Sequence, residues 1–232
     1  MQAQTQPMIA VHGLAKRFVL HVQGGAVIEA LSGVDLAVAP GECVAVSGPS
    51  GSGKSSLLRT LYGNYQPNAG QVLIRHQGRM VDMAAAEPRE VLEVRRHTLG
   101  YVSQFLRVIP RVSAQNVVAE PLVELGWDPD QARERARLML KRLNIPERLW
   151  SLAPATFSGG EQQRVNIARG FAAEKPVMLL DEPTASLDSA NRTVVVGLIR
   201  EAKAQGRAVV GIFHDEDARD AAADRIFTLE GQ

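Results

Sequence analysis

Eight residues constrain this chain more than any others: Gly48-Pro49-Ser50-Gly51-Ser52-Gly53-Lys54-Ser55, which satisfy the pattern G-x-x-x-x-G-K-[ST]. They follow an apolar stretch at 42–47 that reads as a strand, and they open a segment at 53–62 that reads as a helix. In that setting the glycines let backbone N–H groups curl around phosphate oxygens without Cβ clashes, and the helix N-terminus adds positive partial charge. Lys54 supplies a point charge for the β- and γ-phosphates and Ser55 a hydroxyl for Mg²⁺, so both ATP and Mg²⁺ are expected; Ser56 joins the binding set. The bland alternative, a Gly/Ser-rich turn before a helix, does not account for the strand, the lysine and the hydroxyl together.

The rest of the chain alternates as a strand–loop–helix unit demands. Residues 34–38 and 42–47 read as strands flanking the turn Ala39-Pro40-Gly41, and 71–76 and 79–83 as a strand pair turning at Gln77-Gly78. A helix at 87–96 leads to a strand ending near Ser103. After position 158 come a helix at 160–173, a strand at 176–181, a helix at 189–204, a strand at 207–213, a helix at 215–222 and a strand at 225–229. The strands at 176–181 and 207–213 are near-continuous apolar runs, as expected where helices cover both faces of a sheet. Between about 105 and 158 the character changes. Residues 130–143 are helical by composition, and Pro110, Pro121, Pro129, Pro146 and Pro154 punctuate short helices. The fold predicted is α/β: one domain over 1–232, with a mostly parallel core from 1–104 and 159–232, an N-terminal antiparallel β subdomain, and a helical insertion at 105–158.

A second site element lies at Val177-Met178-Leu179-Leu180-Asp181-Glu182. An apolar strand that ends on a carboxylate puts Asp181 where it can hold a metal's water shell. Glu182, one residue on, is the candidate to orient and deprotonate an attacking water. An isolated Asp-Glu pair would be read as a solvated strand end; following a phosphate loop and an apolar run, it is not.

Composition bounds the remaining classes. The chain of 232 residues carries 26 Lys+Arg against 25 Asp+Glu, a net charge of +1, which argues against a general nucleic-acid binder. No run free of Asp, Glu, Lys and Arg exceeds 15 residues, short of the roughly 20 apolar residues of a spanning helix, so no direct membrane insertion is expected. The start at Met1–Pro7 is polar and unlike a secretion signal. The single cysteine, Cys43, excludes an intramolecular disulfide, fits a reducing cytosol, and reads as a small buried hydrophobe. A cytoplasmic protein is the expectation.

Phe157-Ser158-Gly159-Gly160-Glu161-Gln162-Gln163-Arg164 resembles the signature sequence of ATP-binding-cassette (ABC) ATPases, and it stands upstream of the Asp181 strand as in that family. The resemblance extends in order over nearly the whole chain. It implies that Gln104 touches Mg²⁺ and the attacking water, that Ser186-Leu187-Asp188 is the D-loop, that His214 is the switch histidine and that Phe18 stacks on adenine. It also implies a head-to-tail dimer, in which Ser158, Gly159 and Gly160 of one cassette complete the ATP site of the other. Phe157 and Glu161 depart from the commoner Leu and Gln. Each residue has a plainer role open to it: Ser158 with Glu161 is a capping box, Asp188 an N-cap, Phe18 a core aromatic, His214 a surface histidine.

Four stretches are similar to one subfamily, the L proteins of bacterial carbon–phosphorus lyase systems: Gln104–Arg111, Ile145–Trp150, Ala155–Gly170 and Gly211–Glu216. That similarity implies an ATPase working without a permease in phosphonate catabolism, where ATP and an alkylphosphonate give a ribose 1-phosphonate 5-triphosphate. Its partners would be the lyase-complex subunits and a second cassette ATPase, the K protein, as an alternative to a homodimer. The competing expectation is the nucleotide-binding subunit of a membrane ABC transporter. A third class, acting on DNA ends or ribosomes, lacks its usual coiled-coil insertion or tandem cassette here.

Overall fold

The computed structural model describes residues 6–20, 24–106 and 110–230. Residues 1–5 of the polar start, and 107–109 within the stretch read after Gln104, lie outside them. Strand β1 (Ile9–Leu20) pairs antiparallel with β2 (Ala26–Val38) and with β4 (Ala69–His76), which pairs with β5 (Arg79–Asp82). The order of this four-stranded sheet is β2-β1-β4-β5. Along the second half of β2, Leu31, Val34, Leu36 and Val38 are buried while the positions between them face out, the pattern of an antiparallel strand with one covered face.

The second sheet has five parallel strands in the order β6-β7-β8-β3-β9: β6 (Leu99–Val102), β7 (Val177–Asp181), β8 (Ala208–Ile212), β3 (Cys43–Ser47) and β9 (Arg225–Thr228). Every residue of β7 and β8 is buried. Their alternating side chains feed two separate cores. Met178 and Leu180 join one with α3 (Ala114–Glu124), α4 (Pro129–Arg142), α5 (Gly159–Ala172) and α6 (Ser189–Ala204). Val177 and Leu179 join the other, with α1 (Lys54–Leu61) and the antiparallel sheet. Period-two alternation in β7 therefore decides which core each residue serves, and it sends Asp181 to the α1 side.

Three sequence expectations are amended. β1 and the first half of β2 were not legible because β1 carries register shifts between Val11 and Leu14, Leu14 and Lys16, and Lys16 and Arg17, which break the alternation. The strands flanking Ala39-Pro40-Gly41 do not pair with each other: β2 ends in one sheet and β3 starts the other. Pro121 does not end a helix but lies inside α3, where burial of Val117, Val118, Ala119 and Leu122 outweighs the missing backbone donor. α2 (Pro88–His97) and α7 (Glu216–Ala222) complete the described α-helices close to their expected places.

Cys43 is fully buried, and burial pushes its thiol up to about 12, so it packs as a small apolar residue. Ile167, in the middle of α5, is likewise fully buried in the core that the helices share with the sheet. Ile167→Ala should lower unfolding free energy by about 2–5 kcal/mol, measured by urea denaturation.

Candidate nucleotide site

The sequence-predicted residues gather at one edge of the parallel sheet. Gly48–Ser55 follow β3, Gln104 follows β6, Asp181 and Glu182 end β7, and His214 follows β8, all at carboxyl ends of strands. In an open α/β sheet that edge is where loops converge and ligands sit.

The loop is shaped by close backbone approach. A Cβ on Gly53, at φ 90°, would lie 2.0 Å from the Ala30 carbonyl oxygen of β2. One on Gly48, at φ 145°, would lie 2.5 Å from the Leu229 carbonyl oxygen. Only glycine fits either place, so the antiparallel sheet and β9 brace the loop from behind. Pro49, Ser50 and Gly51 form its exposed crest, and Ser52 is buried with a hydroxyl that has no partner among the described residues. Lys54 Nζ donates to the carbonyl oxygens of Gly48 (2.8 Å) and Pro49 (2.7 Å), so the ammonium lies along the loop's own inner rim. Ser56 continues α1, its carbonyl accepting from the Thr60 hydroxyl at 2.7 Å.

One contact joins the loop to Asp181, and a second joins the segment after β6 to Glu182. The Ser55 hydroxyl donates to Asp181 Oδ1 at 3.1 Å, and the Gln104 amide donates to Glu182 Oε2 at 3.1 Å. Asp181 is only 2% exposed, and its other oxygen accepts from the Tyr101 hydroxyl at 3.1 Å. Glu182 adopts φ 52°, rare for a residue with a Cβ, while its N–H donates to the Ile212 carbonyl on β8. Sequence inspection missed both Tyr101 and the backbone turn at Glu182. The turn carries no composition signal; Tyr101 could have been found from the register, since it lies opposite Leu179, two residues before Asp181.

The donor set suits the groups expected there. A hydroxyl, a carboxylate and the Gln104 amide oxygen are hard oxygen ligands of the kind Mg²⁺ takes. The glycine-rich loop, pressed against backbone at Gly48 and Gly53, suits a polyphosphate held by main-chain N–H groups.

The remaining residues form separate groups. Ser158 caps α5 in the expected capping box: its hydroxyl accepts from Glu161 N–H at 3.4 Å, and Glu161 Oε2 accepts from Ser158 N–H at 2.9 Å. Hydrogen bonds from the Ser158 hydroxyl and N–H hold the Glu161 carboxyl below its ordinary range. Ser158 and Gly159 are exposed, whereas a Cβ on Gly160 would meet the Ser186 carbonyl at 2.9 Å. The signature thus abuts Ser186-Leu187-Asp188, and Asp188 caps α6 by accepting from Asn191 N–H at 2.8 Å. Among the described residues no side-chain hydrogen bond joins this group to the phosphate loop. The departures at Phe157 and Glu161 are accommodated: Phe157 is buried in the helical core and Glu161 completes the cap. His214 is exposed, and the structure brings it into no hydrogen bond with Glu182. Phe18 is half-buried on β1, edge-on to Tyr65 with ring centroids 5.1 Å apart and Lys16 Nζ 4.9 Å from its own.

The profile of the ABC transporter family matches residues 31–185, and the chain belongs to that family as its ATP-binding domain. The fold is that of a solved bacterial ABC transporter cassette, the dimeric MJ0796, with a TM-score of 0.87 and 32% identity over 96% of this chain and 94% of that one. The same cassette in a post-hydrolysis state, bound to ADP and Pi, superposes with a TM-score of 0.87 at 31% identity over 97% of both chains. The chain is 37% identical to the macrolide export ATP-binding/permease protein MacB of Marinobacter nauticus, over 98% of its own length but 34% of MacB. It therefore spans about a third of that relative. It is 41% identical to the lipoprotein-releasing system ATP-binding protein LolD 2 of Caulobacter vibrioides, over 97% of this chain and 96% of that protein.

These relatives overturn the subfamily expectation. They are transporter proteins, not carbon–phosphorus lyase L proteins, so neither the role in phosphonate catabolism nor the lyase subunits and K protein as partners stand. The physical reason is that, while Ile145–Trp150 packs in the helical core, the other three of the four stretches behind that expectation surround Gln104, the signature and His214. Those residues track ATP chemistry common to cassettes and say little about what a cassette is attached to.

The two contacts of Lys54 fix where its ammonium sits, at the rim of the loop. Lys54→Ala should weaken ATP binding by roughly tenfold or more, as loss of a charge-assisted contact does, in a fluorescent-nucleotide titration.

Proposed function

We propose that this chain binds and hydrolyses ATP as the cassette of a membrane ABC transporter, at the cytoplasmic face of a permease. The observation that carries the ATPase reading is the meeting at one sheet edge of the phosphate loop with Asp181 through Ser55, and of Glu182 with Gln104 from the end of β6. Similarity to LolD over nearly the whole of both chains supports the transporter role. Among the described residues no helix is long and apolar enough to cross a membrane, so the translocation path is assigned to other segments or chains.

In this reading the loop N–H groups and Lys54 hold the triphosphate, the ammonium exchanging its carbonyl contacts for phosphate oxygens. Ser55, Asp181 and Gln104 would hold Mg²⁺, which supplies charge neutralisation at the β- and γ-phosphates. The Gln104 N–H already donates to Glu182 Oε2. That contact fixes one carboxylate oxygen of Glu182 and leaves the second to accept the proton of the attacking water. His214, at the end of β8, would contact the γ-phosphate, and Phe18 would offer its face to adenine. Ser158, Gly159, Gly160 and Asp188 form a surface of their own. Facing the loop of a second cassette head to tail, they would close its ATP site, with the capped N-terminus of α5 directed at phosphate.

Glu182→Gln keeps size and reach but cannot take the proton. Turnover should fall at least roughly 100-fold, with ATP affinity equal or better. Steady-state hydrolysis within a few-fold of wild type would remove Glu182 from that role. For the transporter, tagged Glu182→Gln protein should co-purify from detergent-solubilised membranes with an integral membrane protein in an ATP-dependent manner. Recovery with soluble enzymes alone would count against it.

The dimer has its own test. Ser158→Arg and Lys54→Ala proteins, assayed at an ATP concentration where neither is active alone, should recover part of the activity when mixed, because a head-to-tail mixed dimer holds one site with both defects and one with neither. No recovery, in a mixture shown to contain mixed dimers, would mean that each chain acts alone.

A further inference from the structure

Asp181 is gripped from two sides. Ser55 holds Oδ1 from α1, and the Tyr101 hydroxyl holds Oδ2 at 3.1 Å from the neighbouring strand β6. The register makes the second contact possible. Tyr101 lies opposite Leu179, so Asp181 is its diagonal neighbour on the same face, within reach of a long aromatic side chain. The ring is fixed independently of the hydroxyl. It stacks on Tyr62 of the α1 C-terminus, with centroids 5.0 Å apart and planes at 27°, and Arg95 lies 4.7 Å from the Tyr62 ring centroid. Both rings line a cavity of about 580 Å³ between α2, α3 and α5. A phenylalanine would satisfy every one of these packing contacts. The hydroxyl donates to the carboxylate, and the Arg59 guanidinium of α1 lies near it.

From this geometry we infer that Tyr101 is a positioning residue for Asp181, setting the carboxylate's orientation toward the cation that accompanies ATP. This rests on the ATPase reading above. If Ser55 turns its hydroxyl to the cation, Oδ1 loses its neighbour, and Tyr101 is then the contact that keeps the carboxylate plane from rotating. Fixed outer partners of this kind orient a metal ligand and typically change metal affinity by about 10–100-fold when removed.

The test uses Tyr101→Phe in the full chain carrying Glu182→Gln, so that ATP stays intact, with Mn²⁺ as the probe. Free Mn²⁺ is read by electron paramagnetic resonance in the presence of saturating ATP. Tyr101→Phe should weaken Mn²⁺ binding by roughly tenfold or more, while ATP affinity without metal and the melting temperature stay close to the parent. A parallel loss of metal-free ATP affinity and thermal stability would reveal a packing role and overturn the inference. So would unchanged Mn²⁺ affinity. Asp181→Asn separates the two readings. If it loses Mn²⁺ and Tyr101→Phe does not, only the Tyr101 inference fails. If Asp181→Asn also binds Mn²⁺ normally, the metal site itself has been misplaced and both fail.

Discussion

The buried carboxylate of Asp181 is the point on which the rest of the site depends. A charge this far from water is costly unless hydrogen-bonded, and two hydroxyls supply that. Ser55 comes from the first turn of α1 and Tyr101 from β6, so the contacts lock the helix after the phosphate loop to strands on the other side of it. Because β7 alternates between two cores, its terminal carboxylate can only face α1. Packing of the parallel sheet and placement of the carboxylate proposed to hold Mg²⁺ are thus one decision.

The phosphate loop is held by backbone rather than by side chains. Gly53 lies against the Ala30 carbonyl and Gly48 against that of Leu229, so the loop is wedged between β2 of the antiparallel sheet and the end of β9. That accounts for the N-terminal sheet: it carries Phe18 and also forms the wall behind the loop. Glu182 shows the complementary device. Its left-handed backbone costs roughly 1–3 kcal/mol, which β8 helps offset through the Ile212 carbonyl, and the turn brings its side chain to the Gln104 amide.

Catalysis and partnership were legible to different degrees. The residues of the proposed ATP site resemble the family motifs one by one because phosphate chemistry admits few alternatives. The attachment to a carbon–phosphorus lyase was wrong because short stretches beside those motifs report ATP handling first. Likeness over the full length, to LolD and to a third of MacB, carries what the stretches could not.

From sequence alone came the phosphate loop, the apolar strands that frame it, Asp181 with Glu182, and the capping box at Ser158, each encoded within a few consecutive residues. Tertiary structure decided what depends on residues far apart in the chain. It separated β2 from β3 into different sheets, threaded a bulged β1 between β2 and β4, carried α3 through Pro121, and set Tyr101 diagonally to Asp181 across 80 positions of sequence. Local patterns record what a backbone can do over a turn or a strand. Which carboxylate a phenol meets is settled only when two strands choose their register, and that choice belongs to the packed core.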